Sequence, residues 1–100
     1  MLGLTENEIR LIVNCLSKTA VKKAMVFGSR AKGNHRTNSD IDIAVSGCQD
    51  VFDVEHIAAL LNDLPLCYQF DVQGSEFVKN ALLNEHIRRV GITIYERERE

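Results

Sequence analysis

Two short stretches hold the residues whose types and spacing suit them to chemistry. The first, Met25-Val26-Phe27-Gly28-Ser29-Arg30-Ala31-Lys32-Gly33, is an apolar run that ends in a Gly-Ser corner. The second, Ser39-Asp40-Ile41-Asp42-Ile43-Ala44-Val45, is an apolar run that begins with two acids one residue apart. Where a strand turns into a helix, the first backbone N–H groups have no intrahelical partner and attract anions. Gly28 lets the backbone come close to a phosphate, and Ser29 adds a hydroxyl donor. Arg30, Lys32 and Arg36 bring positive charge to the same neighbourhood. Asp40 and Asp42 leave one face of an extended strand, about 7 Å apart. At an effective dielectric near 20 they repel by about 2 kcal/mol, a term that a bound cation reverses. Mg²⁺ takes such carboxylate oxygens together with phosphates and water, and two ions roughly 4 Å apart suit the platform. The chemistry implied is phosphoryl or nucleotidyl transfer. Each half is weak alone: Gly-Ser also fits a plain turn with Ser29 as an N-cap, and Asp-x-Asp also fits a solvated strand start.

A third acid strengthens the pattern. From Leu66 to Gln73 the chain alternates, with Leu66, Tyr68, Phe70 and Val72 on one side and Cys67, Gln69, Asp71 and Gln73 on the other. If this strand lies beside Asp40–Val45, the Asp71 carboxylate joins the other two, ligates one metal and takes the proton from an attacking hydroxyl. Otherwise Asp71 is an acid on a wet sheet face. His35 reads as a solvated loop residue, and His56 and His86 as water-facing helix residues without a partner at metal-ligand spacing. No Ser/His/Asp or Cys/His arrangement is suggested.

The elements that must position these residues follow from periodicity and punctuation. Thr5-Glu6-Asn7-Glu8 fits a capping box, and Ile9, Ile12, Val13 and Leu16 share a helical face, so a helix is expected over about 5–18. A strand over 21–27 ends at Gly28, a short helical turn covers 29–32, and Gly33 to Ser39 is a loop by composition. A second strand covers 40–45. Asp53 is the expected cap of a helix carrying Val54, Ile57, Ala58 and Leu61, closed by Pro65. Ser75 is the expected cap of a last helix to Arg89, with Gly91 at C′. A strand over 91–95 follows, and Glu96 to Glu100 reads as a solvated fray. Alternating strands and helices indicate a mixed α/β or α+β class, one sheet covered by helices; strand order does not follow from the pattern.

One hundred residues, 45% hydrophobic, suffice for one domain with a modest core. Twelve basic and 14 acidic residues give a net charge of −2, which offers no global attraction to nucleic acid, and no aromatic stacking array is evident. No apolar run approaches the roughly 20 residues that span a bilayer, and the N-terminus lacks the pattern of a secretory signal. Cys15, Cys48 and Cys67 form neither a metal spacing nor a disulfide framework. Three reduced thiols in a cytoplasmic protein are expected.

Taken together, Gly28-Ser29, the spacer, Asp40-x-Asp42 and the later Asp71 resemble the DNA polymerase β-like nucleotidyltransferase superfamily. Gly-Ser-Arg-Ala-Lys-Gly, Ser-Asp-Ile-Asp-Ile-Ala-Val and the ending Arg88-Arg89-Val90-Gly91-Ile92-Thr93-Ile94-Tyr95 are similar to the minimal nucleotidyltransferases, single-domain prokaryotic proteins of about this length. The resemblance spans nearly the whole chain and implies one nucleotidyltransferase domain over 1–100, a mixed sheet with helices packed on one side. It implies ATP or another NTP as donor, two Mg²⁺ ions held by Asp40, Asp42 and Asp71, and phosphates seated by Gly28 and Ser29 with help from Arg30 and Lys32. It also implies a HEPN-type helical partner, an RNase toxin to which the minimal nucleotidyltransferase is antitoxin. In such pairs AMP is added to a tyrosine of the toxin, or the toxin is neutralised by binding alone. The assembly is compatible with a hetero-oligomer or a homodimer. The chain stops just after its last expected strand, which leaves little to build an acceptor pocket; a second protein is expected to complete it. Nucleic-acid polymerisation is a weaker reading, because the chain is short and slightly acidic and lacks an aromatic stacking array; transfer to a small molecule such as an aminoglycoside is weaker because no second domain is visible for it.

Overall fold

A computed structural model describes residues 2–33 and 40–97. Its element order is α1 (Glu6–Ser17), β1 (Lys23–Phe27), α2 (Ser29–Lys32), β2 (Ile41–Ser46), α3 (Val51–Asn62), β3 (Phe70–Gly74), a 3₁₀ turn (Ser75–Phe77), α4 (Ala81–Val90) and β4 (Ile92–Glu96). The strands form one sheet in the order β3-β2-β1-β4, with β2–β3 parallel and the other two pairs antiparallel. The class is α+β, as expected. His35, Arg36 and the rest of the loop before Asp40 lie outside the described residues, as do Glu98, Arg99 and Glu100.

Period-two alternation sorts the side chains of β1, β2 and β3 to two faces. Ala24, Val26, Ile41, Ile43, Val45 and Phe70 point to the main core, where they meet Ile12 and Leu16 of α1 and Ile57 and Leu61 of α3. Phe27 and Ala44 point the other way and meet Ile87 of α4, flanked by Leu83 and Val90. Leu83, Ile87 and Val90 recur at helical spacing, so α4 presents a narrow apolar stripe to the second face. Helices therefore cover both faces, and α4 departs from the expectation of helices on one side. The acids share the second face with α4.

Local chemistry explains where elements begin and end. Thr5 Oγ1 accepts from the Glu8 N–H (3.1 Å) and the Glu8 carboxylate accepts from the Thr5 N–H (2.8 Å), completing the expected capping box. Helix α3 begins earlier than expected. Asp50, not Asp53, is its cap and accepts from the Asp53 N–H at 2.9 Å, while the Asp53 carboxylate reaches back to the Gln49 N–H. Strand β3 is shorter than the alternation suggests. The Asn62 side chain takes both the N–H and the carbonyl of Phe70 (2.8 and 3.2 Å) and occupies the strand start, yet Leu66, Tyr68 and Val72 still face the core. Helix α4 starts at Ala81, because the Asn80 side chain accepts from the Leu82 and Leu83 N–H groups and outcompetes Ser75. Gly91 has φ −66°, not the left-handed cap expected; a Cβ there would meet Ile87 O and Met25 Cε. Close approach of α4 to β1 is its role.

Of the tail expected to fray, Glu96 closes β4 and Arg97 is tied down. The Arg97 N–H donates to Lys22 O (2.8 Å) and its Nη2 to Thr19 O (2.6 Å). The last turn of α1 holds no basic residue of its own, so Arg97 supplies positive charge there. Arg97→Ala is expected to cost about 1 kcal/mol in a urea titration.

Candidate active site

The sheet register aligns the site. Phe27 on β1 is the partner of Asp42 on β2, and Asp42 is the partner of Asp71 on β3. Register partners on neighbouring strands point to one face, about 4.8 Å apart per strand. Gly28 directly follows Phe27, so the Gly-Ser corner and the two carboxylates lie in one row across the sheet. Asp40 precedes β2 by one residue and is exposed.

Gly28 has φ 75° and ψ −149° and is the N-cap of α2, with no side-chain hydrogen bond to the first turn. A Cβ on Gly28 would sit on Asp42 Oδ2. Glycine is needed there twice, for the left-handed backbone and for room for the Asp42 carboxylate. Asp42 is half-buried, and its carboxyl is pushed above the ordinary range, first by burial and then by the charges of Asp71 and Asp40. Asp71 and Asp40 therefore both act on Asp42. Among the described residues no three or more His, Cys, Asp or Glu side chains are gathered so as to hold a metal ion as they stand. The donors are nevertheless of the right kind for a hard cation. Asp42 fits such an ion best: its carboxylate is held in a glycine-floored recess, and its charge is opposed by two neighbouring acids that a cation would offset.

Ser29 opens α2 and is half-buried, and Lys32 ends it, exposed. Arg30 corrects the sequence reading. It is only 2% exposed, its Nη1 donates to Leu2 O at 3.0 Å, and its guanidinium lies 4.7 Å from the centre of the Tyr68 ring. It points into the protein and not toward a phosphate. His86 is also misread as water-facing: it is half-buried and meets Phe27 edge-on, with ring centres 6.3 Å apart. Its neighbour Ile87 belongs to the α4 stripe, which was the available signal. His56 is exposed, as expected. Nothing in the sequence pattern pairs Arg30 with Leu2 or Tyr68.

A cavity of about 410 Å³ opens between α1 and α3, lined in part by Leu11, Cys15, Leu60, Leu64 and Pro65. Those helices cover the sheet face opposite the acids, so this hollow is separate from the aspartate row.

A family model described as polymerase beta, nucleotidyltransferase, matches residues 10–100. The chain belongs to this nucleotidyltransferase family. The match takes in Gly28, Ser29, Asp40, Asp42 and Asp71 together. The nucleotidyltransferase fold is shared with solved structures. A toxin–antitoxin structure with AMP-PNP is 24% identical, with a TM-score of 0.74 over 95% of this chain and 76% of that one. A toxin–antitoxin MntA–HepT structure is 20% identical, with a TM-score of 0.70 over 93% and 74%. A tri-AMPylated Shewanella oneidensis HEPN toxin in complex with MNT antitoxin is 18% identical, with a TM-score of 0.70 over 94% and 74%. No curated protein matches this nucleotidyltransferase significantly in sequence. Among the described residues no helix is long and apolar enough to cross a membrane.

Proposed function

We propose that this chain is an Mg²⁺-dependent nucleotidyltransferase that moves AMP from ATP to a hydroxyl of a HEPN-type helical partner and so acts as an antitoxin in the cytoplasm. The observation that carries the reading is the alignment of Asp42 with Asp71, beside the Gly28 corner. Asp40, Asp42 and Asp71 would hold the metal ions, which when bound would offset charge on the triphosphate. Gly28 and Ser29 seat the phosphates, with Lys32 at the end of the same turn. The acceptor oxygen attacks the α-phosphorus, the bond to pyrophosphate breaks, and the hydroxyl proton passes to the Asp71 carboxylate. Positioning and charge neutralisation carry most of such a displacement. The AMP-PNP and AMPylated-toxin complexes among the similar structures support the donor and the partner class. The free thiols of Cys15, Cys48 and Cys67 are in keeping with a reducing compartment.

The test is to incubate the chain with a HEPN-type partner, Mg²⁺ and each NTP in turn and weigh both proteins. With ATP the partner is expected to gain the mass of AMP, and the gain is lost with EDTA. No gain with any NTP, combined with full neutralisation of the toxin by an Asp40→Asn/Asp42→Asn double variant, would replace catalysis by sequestration.

A further inference from the structure

We infer that Arg30 is a positioning residue that clips the Gly28-Ser29 corner to the strand carrying Asp71. The inference deepens the nucleotidyltransfer reading and rests on it. Arg30 follows Ser29 directly in α2, and its side chain is almost completely buried. Its guanidinium lies against the ring of Tyr68, three residues before Asp71. Between them, Gln69 O accepts from the Ile41 N–H at 2.9 Å, so the segment leading to Asp71 is also fastened to the strand that carries Asp42. A third attachment is the 3.0 Å bond from Nη1 to Leu2 O, which draws the N-terminal segment over the same side chain. The Tyr68 hydroxyl lies near Glu8 of α1, whose carboxylate pushes the phenol pKa up. One guanidinium therefore spans the corner that would meet phosphate, the approach to Asp71, and the chain start.

The chemistry favours arginine specifically. A planar guanidinium lies over an aromatic ring and donates in its own plane at the same time, whereas a lysine ammonium does neither as well. A buried charge is costly, and an apolar side chain of similar length fills such space at least as well. What methionine lacks is direction: it cannot hold two segments at a set angle.

The experiment compares Arg30→Lys, Arg30→Met, Tyr68→Phe and Tyr68→Leu in the full chain. Melting temperature, kcat and KM for ATP in transfer to the partner, and amide exchange at Ser29 and Asp71 are measured for each. In Arg30→Met and Tyr68→Leu, kcat is expected to fall about tenfold to a hundredfold, with KM for ATP changed by less than about threefold. Arg30→Lys falls in the same direction by less. Tyr68→Phe keeps the ring and stays within about twofold of the parent. The Arg30→Met/Tyr68→Leu double variant loses no more than the worse single one, because both remove the same contact. Exchange at Ser29 and Asp71 is expected to quicken together in Arg30→Met. If Arg30→Met does not fold, the half-buried Tyr68→Leu supplies the same comparison. Parental kcat in the folded Arg30→Met or Tyr68→Leu protein, or a lower melting temperature with unchanged exchange at Ser29 and Asp71, overturns the clip. If the unaltered chain transfers no nucleotide to any acceptor, the nucleotidyltransfer reading fails, and the exchange measurement still decides whether Arg30 joins the two segments.

Discussion

Asp42→Asn is expected to cut nucleotide transfer about a thousandfold or more while raising the melting temperature in metal-free buffer at neutral pH. The loss follows from position. Asp42 stands between the Gly28 corner and Asp71, and a metal ion that its carboxylate would help hold would offset phosphate charge by several kcal/mol in a transition state, with each 1.36 kcal/mol a factor of ten. The gain in stability follows from the raised pKa. Burial, Asp71 and Asp40 all disfavour the ionised carboxylate in the folded chain. A group whose folded pKa lies above its unfolded value contributes most below the unfolded value, and that contribution is lost as pH rises through the folded pKa. The native chain is therefore penalised at pH 7, and asparagine removes the penalty. Thermal melts of both proteins with EDTA at pH 8 and pH 4 read this directly: the variant melts higher at pH 8, and the gap narrows at pH 4 as Asp42 takes up a proton. A variant that melts lower than the parent at pH 8 would mean that Asp42 is part of the scaffold and not a charge kept at a cost.

Gly28→Ala is the second large effect. Its Cβ would occupy the place of Asp42 Oδ2, and its backbone at φ 75° disfavours any side chain. A side chain at that φ with ψ −149° alone costs about 1–3 kcal/mol. The displaced carboxylate is expected to lower kcat by about a hundredfold. The two contributions separate in a cycle with Asp42→Gly, in which the collision partner is gone. Urea titrations are expected to show a smaller cost for Gly28→Ala in the Asp42→Gly background than in the parent. Equal costs in both backgrounds would mean that the carboxylate turns away without strain.

Much of this was legible because the signals were local. The Thr5–Glu8 capping box, the break at Gly28 and the turn over Ser29–Lys32 depend on residues a few positions apart, and the structure has each where the pattern puts it. The paired aspartates could be read the same way. The adjacency of Asp71 could not: alternation tells which face a residue takes but not which strand lies next to it, and only the parallel register supplies that. Arg30 misled because a cation beside a Gly-Ser corner looks the same in sequence whether it faces solvent or the interior. Competing caps explain the shifted helix starts, since Asp50 and Asp53, like Ser75 and Asn80, are all competent acceptors. Arg97 looked like part of a charged tail because its acceptors, Thr19 and Lys22, lie far away in the chain.

The parallel pairing of β2 with β3 has one more consequence. The gap between the Asp42 and Asp71 backbones is set by main-chain hydrogen bonds, which do not depend on side-chain identity. Surrounding loops and helix surfaces can therefore change without moving those two backbones, so the spacing of the carboxylates is insulated from substitutions elsewhere in the chain.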